Sequence, residues 1–186
     1  MTKTGVIHGR FQVLHLKHME YLLAAKTRCA KLYIGISNPD SSYVRDTVND
    51  PERSLSQSNP LTYFERFEMI REAMLEFKVP REEFDIVPFP INRPEYLLEY
   101  VPKDAVFYMT IYDTWGEEKY KIFKALGLNV DVMWRKEAAE KELSAAWVRS
   151  CITAGYEWEH LVPKSVYKYI VEKGIDKRIT SLAGKP

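Results

Sequence analysis

The chain has 186 residues, of which 46% are hydrophobic and 28% charged, and its 27 Lys and Arg nearly balance 26 Asp and Glu. That is enough chain to enclose one core, while a net charge of +1 supplies no broad basic field to attract nucleic acid or a membrane surface. No apolar run reaches the ~18 residues of a membrane span, so neither nucleic acid nor membrane is an expected partner and any anion site must be local.

The two cysteines, Cys29 and Cys151, form no CxxC pair, which removes zinc-ribbon and dithiol spacings. His8 and Arg10 interrupt the apolar start, so no secretory signal is expected. The simplest compartment is the reducing cytoplasm.

In chain order, Gly5 to His8 reads as a short strand and Lys17 to about Cys29 as a helix, with Met19, Leu22 and Leu23 on one face. Lys31 to Ser37 (KLYIGIS) reads as a second, buried strand. Asn38 to Pro60 is polar and carries three prolines; its length predicts a functional loop or lid. Thr62 and Glu65 then make a T-x-x-E capping box ahead of Phe67, Ile70, Met74 and Phe77 at helical spacing.

Phe84 to Phe89 reads as a strand, Glu95 to Tyr100 as a short helix and Ala105 to Thr110 as another strand. Glu117 to Leu126 follows as a helix stopped by Gly127, and Leu128 to Trp134 as the last strand. Two helices close the chain, Ser144 to about Thr153, ended by Gly155, and Pro163 to Lys173. Thr180 to Pro186 reads as a loose tail after a domain over 1–179. Strands alternating with helices predict a single-domain α/β fold with a doubly wound parallel sheet.

Ligands of such folds bind at the carboxyl ends of the strands, which directs attention to Gly9-Arg10-Phe11-Gln12-Val13-Leu14-His15-Leu16-Lys17-His18. Gly9 permits close backbone approach. His15 and His18 lie on one side of a helix start, where free N–H groups and the dipole favour an anion, and Arg10 and Lys17 add charge. The clustering of His8, His15 and His18 also permits a metal, but no carboxylate or cysteine set stands at ligand spacing, so no protein-held metal is expected. Neither GxGxxG nor GxxxxGK[ST] is present.

The GRFQ-x-x-H-x-x-H segment resembles the HxGH nucleotidylyltransferases with their Rossmann-like fold, in the form found in archaeal-type nicotinamide-mononucleotide adenylyltransferases. Lys17 replaces that family's glycine and Val13 its proline. Leu143 to Arg149 is similar to the family's ISxTxxR signature, with Ala146 where threonine stands. Asn59 to Arg66 is similar to NPFTxxER, and Gly155 to Pro163 to GExWExLVP.

The resemblance implies that His15, His18 and Arg149 carry catalysis by holding a triphosphate. It implies that Gly9, Arg10, Phe11, Gln12, Lys17, Ser144, Ala145 and Val148 line the nucleotide, with Asn38, Arg66, Asp113 and Trp115 on the substrate. Where the family shows an Asn-bearing turn, this chain reads Thr110-Ile111-Tyr112-Asp113-Thr114-Trp115-Gly116, which points to a different second substrate. The expected reaction joins ATP to nicotinamide mononucleotide, giving NAD and pyrophosphate, with Mg2+ as cofactor, in a homo-oligomer. Two alternatives stay open: cytidylyl or other nucleotidyl transfer to a different small phosphorylated acceptor, and nucleotide binding with degenerate catalysis.

Overall fold

A computed structural model describes residues 1–39, 55–135 and 143–184. Five strands form one parallel sheet: β1 (Thr2–Gly9), β2 (Cys29–Ser37), β3 (Phe84–Phe89), β4 (Val106–Ile111) and β5 (Asn129–Arg135), in the spatial order β3-β2-β1-β4-β5. The helices are α1 (Leu16–Lys26), α2 (Tyr63–Glu76), α3 (Thr114–Ala125), α4 (Ala145–Ala154), α5 (Lys164–Glu172) and α6 (Ile175–Ala183). The doubly wound α/β expectation is met. None of these helices is long and apolar enough to cross a membrane.

Successive residues of a strand face opposite sides of a sheet, and β1 divides the interior accordingly. Ile7 enters a core with Leu22, Ile34, Met69, Val148 and Ile170, from α1, β2, α2, α4 and α5. Val6 enters the other core with Phe89, Phe107 and Phe123, beneath α3. Burial on both faces explains why the central strands read as apolar runs rather than alternating ones.

Several boundaries shift for local reasons. β1 begins at Thr2 and β2 at Cys29 because those two residues open their ladder. The first helix therefore stops at Lys26, capped by Thr27. The helix expected from Glu117 starts at Thr114, because Asp113 accepts the Gly116 amide at 2.8 Å. The short helix before β4 is a 3-10 helix, Pro94–Glu99. Gly155 ends α4 in the left-handed region, φ 72°, as expected of a C-cap glycine.

The largest difference is at the C-terminus. The tail expected from Thr180 is helical as far as Ala183 and belongs to α6. Ile175 and Ile179 bury that helix in the first core, and Arg178 donates to Glu65 of α2 at 2.7 Å. Residues 40–54, most of the lid expected over Asn38 to Pro60, lie outside the described residues.

Candidate active site

β1 and β4 pair only at Gly5–Val106 and Val6–Phe107. Beyond that the two neighbouring strands part at their carboxyl ends, the place where an open α/β sheet forms its ligand crevice. The Tyr21 hydroxyl, from α1, fills the parting. It donates to the Tyr108 carbonyl at 2.8 Å and lies against the backbone amide of His8, which also hydrogen-bonds to it. Burial pushes the phenol well above its ordinary range, so it stays a neutral donor.

The turn after β1 folds inward. Phe11, at φ 53°, buries its ring completely. A Cβ at Gly9 would stand 2.8 Å from that ring, so Gly9 is required by Phe11 beneath it. The same ring meets His18 edge-on, with centroids 5.1 Å apart. The side chain of Phe11, a residue expected at the nucleotide, thus supports the turn from the core.

Gln12 is also buried, and its amide closes a two-way clamp on Leu61. Nε2 donates to the Leu61 carbonyl and Oε1 accepts the Leu61 amide, both at 2.9 Å. The side chain expected to reach the nucleotide is thereby committed to the segment ahead of α2.

His15 and His18 cap α1 reciprocally. Each Nδ1 accepts the other residue's backbone N–H, both at 3.4 Å, and the rings stack with centroids 3.7 Å apart. A neutral imidazole accepting at Nδ1 carries its proton at Nε2. The capping box therefore fixes a tautomer in which both Nε2–H groups are donors suited to an anion at the helix N-terminus.

The expected second site meets the first directly. Ser144 caps α4, its Oγ accepting the Trp147 amide at 3.1 Å. Ala145, at the first position of α4, brings an amide that has no acceptor within the helix. Arg149, one turn on, donates from Nη1 to the Gln12 carbonyl. Burial holds its guanidinium somewhat below the usual arginine range. Val148, also expected at the nucleotide, is sealed in the core, and its amide bonds to the Ser144 carbonyl. Lys17, in the family's glycine position, is exposed, and its ammonium pairs with Glu20 at 2.8 Å.

Arg66 was expected at the substrate, but only 2% of it is exposed. Its guanidinium gathers four carbonyls: Arg10 at 3.1 Å, Ser37 at 2.8 Å, Asn38 at 2.7 Å and Thr62 at 3.2 Å. Burial draws its pKa down to about 10, which leaves it cationic at neutral pH. Asn38 is likewise a buried scaffold residue, at φ 50°, with Oδ1 accepting from Asn92 at 3.4 Å. The planar guanidinium fork of Arg66 suits this place because it matches several carbonyls at once.

Across the crevice, Asp113 caps α3 and Trp115 packs on the second core. Lys119 lies over the Trp115 ring, 5.9 Å from its centroid. His8, not marked as a site residue in the sequence, stacks on Phe89 at 4.7 Å and meets Phe123 edge-on at 5.5 Å. Burial first, and the charge of Lys119 second, hold its imidazole well below the ordinary histidine range, so it is neutral at pH 7. Tyr21, also missed, had one available signal: it follows His18 by three residues, a polar tip on the apolar face of that helix.

A family model described as cytidylyltransferase-like matches residues 6–150, from the first strand through Arg149. The chain belongs to the cytidylyltransferase-like family.

Within that nucleotidylyltransferase family its relatives differ in donor and acceptor. A phosphonoformate cytidylyltransferase of Streptomyces viridochromogenes is 50% identical over 176 residues, covering 95% of each chain. A nicotinamide-nucleotide adenylyltransferase of Thermococcus kodakarensis is 32% identical, covering 98% of this chain and 90% of that one. Among solved structures, a bifunctional NMN adenylyltransferase/ADP ribose pyrophosphatase of Francisella tularensis superposes with a TM-score of 0.68 at 13% identity. It covers 97% of this chain, which spans 52% of that protein. The superposition establishes a shared nucleotidylyltransferase fold.

Proposed function

We propose that the protein is a CTP-dependent cytidylyltransferase that joins CMP to a small phosphonate or phosphate monoester and releases pyrophosphate. The observation that carries this reading is the 50% identity, end to end, with a phosphonoformate cytidylyltransferase, against 32% for the adenylyltransferase above. Adenylyl transfer to nicotinamide mononucleotide, the reaction the sequence motifs favoured, becomes the second reading.

An oxygen of the acceptor's phosphonate or phosphate attacks the α-phosphorus of the nucleoside triphosphate. The bond from that phosphorus to the bridging oxygen breaks, and its electrons leave with pyrophosphate. The nucleophile is already an anion, so the protein need supply only position and charge. His15 and His18 offer Nε2–H groups, α1 and α4 offer free amides, and Arg149 offers its guanidinium to the departing β- and γ-phosphates. Mg2+ remains the expected counter-ion and would further neutralise the triphosphate. Among the described residues no group of three His, Cys, Asp or Glu is arranged to hold a metal, so the ion would arrive on the nucleotide.

The test is pyrophosphate release with CTP or ATP against phosphonoformate and nicotinamide mononucleotide. Turnover of CTP with phosphonoformate is expected. Turnover confined to ATP with nicotinamide mononucleotide overturns the proposal.

A further inference from the structure

The α3 side of the crevice has a charge pattern of its own. Beyond Val6 and Phe107 the β1–β4 ladder is open, and His8 stands on β1 at that opening. Its ring belongs to the α3 side of the sheet, held between Phe89 and Phe123. Trp115, Lys119 and Phe123 follow at four-residue spacing along α3 and so share one stripe of that helix. Phe123 meets the His8 ring; one turn toward the crevice is Lys119, close enough to act electrostatically on His8; one further turn is Trp115, beneath the Lys119 ammonium. His8 Nε2 is buried with no hydrogen-bond partner, an arrangement a folded core avoids unless another group completes it.

We propose that Lys119, on the α3 stripe that meets His8 and carries Trp115, selects the acceptor: it favours a small phosphonate or phosphate bearing a second anionic group. This rests on the reading that the β1–β4 crevice receives the acceptor. The first anionic group of the acceptor is the nucleophile and must lie at the α-phosphorus, near the α1 and α4 N-termini. A second one, such as a carboxylate, then finds the ammonium of Lys119 above the Trp115 ring and on the side of α3 that meets His8. A nicotinamide nucleotide presents a pyridinium cation instead, which Lys119 repels.

The experiment compares phosphonoformate, which has a carboxylate, with methylphosphonate, which lacks one, in the wild type and in Lys119→Met, with CTP and with ATP. The wild type is expected to prefer phosphonoformate by roughly ten- to hundredfold in kcat/KM, the worth of one charge-assisted hydrogen bond. In Lys119→Met that ratio collapses toward unity through KM for phosphonoformate, while KM for the nucleotide holds. A ratio unaltered by Lys119→Met overturns the inference. Turnover with ATP but not CTP overturns only the choice of nucleotide, because the acceptor ratio is read with either donor. If neither donor supports turnover, calorimetric titration of the two phosphonates reads the same ratio, and equal affinities in the wild type overturn the inference.

Discussion

The Tyr21 hydroxyl donates to the Tyr108 carbonyl at 2.8 Å across the point where β1 and β4 separate. A helix side chain thus takes over the ladder where the two strands stop pairing, and it keeps open the crevice that a continued ladder would close. Tyr21→Phe keeps the ring and removes this bridge. Leaving a buried carbonyl and amide unsatisfied is expected to lower stability by about 1–3 kcal/mol, read as a lower urea midpoint with unchanged m-value. An unchanged midpoint shows that water replaces the hydroxyl.

The two histidines cap a helix and are proposed to hold the nucleotide, and substitution can separate these roles. Asparagine is a good N-cap, so His15→Asn should hold stability within about 0.5 kcal/mol. Pyrophosphate release should nevertheless fall by roughly a hundredfold or more, as for loss of one donor to developing charge. His15→Asn with wild-type turnover would show that His15 serves the fold alone.

His8 makes the protein sensitive to acid. Its folded pKa is lowered by burial and by Lys119, so the unfolded chain binds a proton more readily. The stability it contributes is full above the unfolded value, around 6.5, and drains away as pH falls below that. Denaturation of wild type and His8→Phe at about pH 7.5 and about pH 5 should show a smaller acid loss in the variant. Parallel curves would mean that His8 protonates freely in the fold.

Arg66→Lys should be poorly tolerated although it keeps the charge. An ammonium cannot span the carbonyls of Arg10, Ser37, Asn38 and Thr62 that the guanidinium gathers. A loss of about 2–4 kcal/mol is expected from several bonds to a charged donor, with reduced turnover because Arg10 belongs to the turn proposed to hold the triphosphate. Thermal unfolding of the purified variant gives the answer, and a Tm equal to the wild type's contradicts a bracing role.

Ile179 tests the last helix. It is 3% exposed, and Ile179→Ala should cost about 2–5 kcal/mol if α6 is part of the core. A loose tail would register no change in chemical denaturation.

Much of this was legible because local rules and packing agreed. The T-x-x-E box at Thr62 and Glu65 forms as written, with bonds of 2.8 and 3.2 Å, and β3 spans the six residues its apolar run marks. The helix-start histidines and the Ser144–Arg149 segment also converge as motif spacing implied. What escaped was set by distant partners. Nothing local distinguishes Gln12 as a clamp on Leu61 from Gln12 as a ligand, and Arg66 next to Glu65 reads as part of a capped surface helix until two other segments, at Arg10 and at Ser37–Asn38, close over it. The end of the chain was misjudged for the opposite reason. Thr180 and Ser181 look polar and loose, but Ile175 and Ile179, four residues apart, already supply one buried stripe.

The Gln12 and Arg66 bonds bear on how much change the chain between them can absorb. Between them they tie Asn38 and Leu61, on either side of the long polar segment, to the backbone of the catalytic turn. The abutments are fixed independently of what spans them. A segment of different length or chemistry grafted between these posts is expected to leave His15 and His18 in place, because the bonds that hold the turn do not run through it.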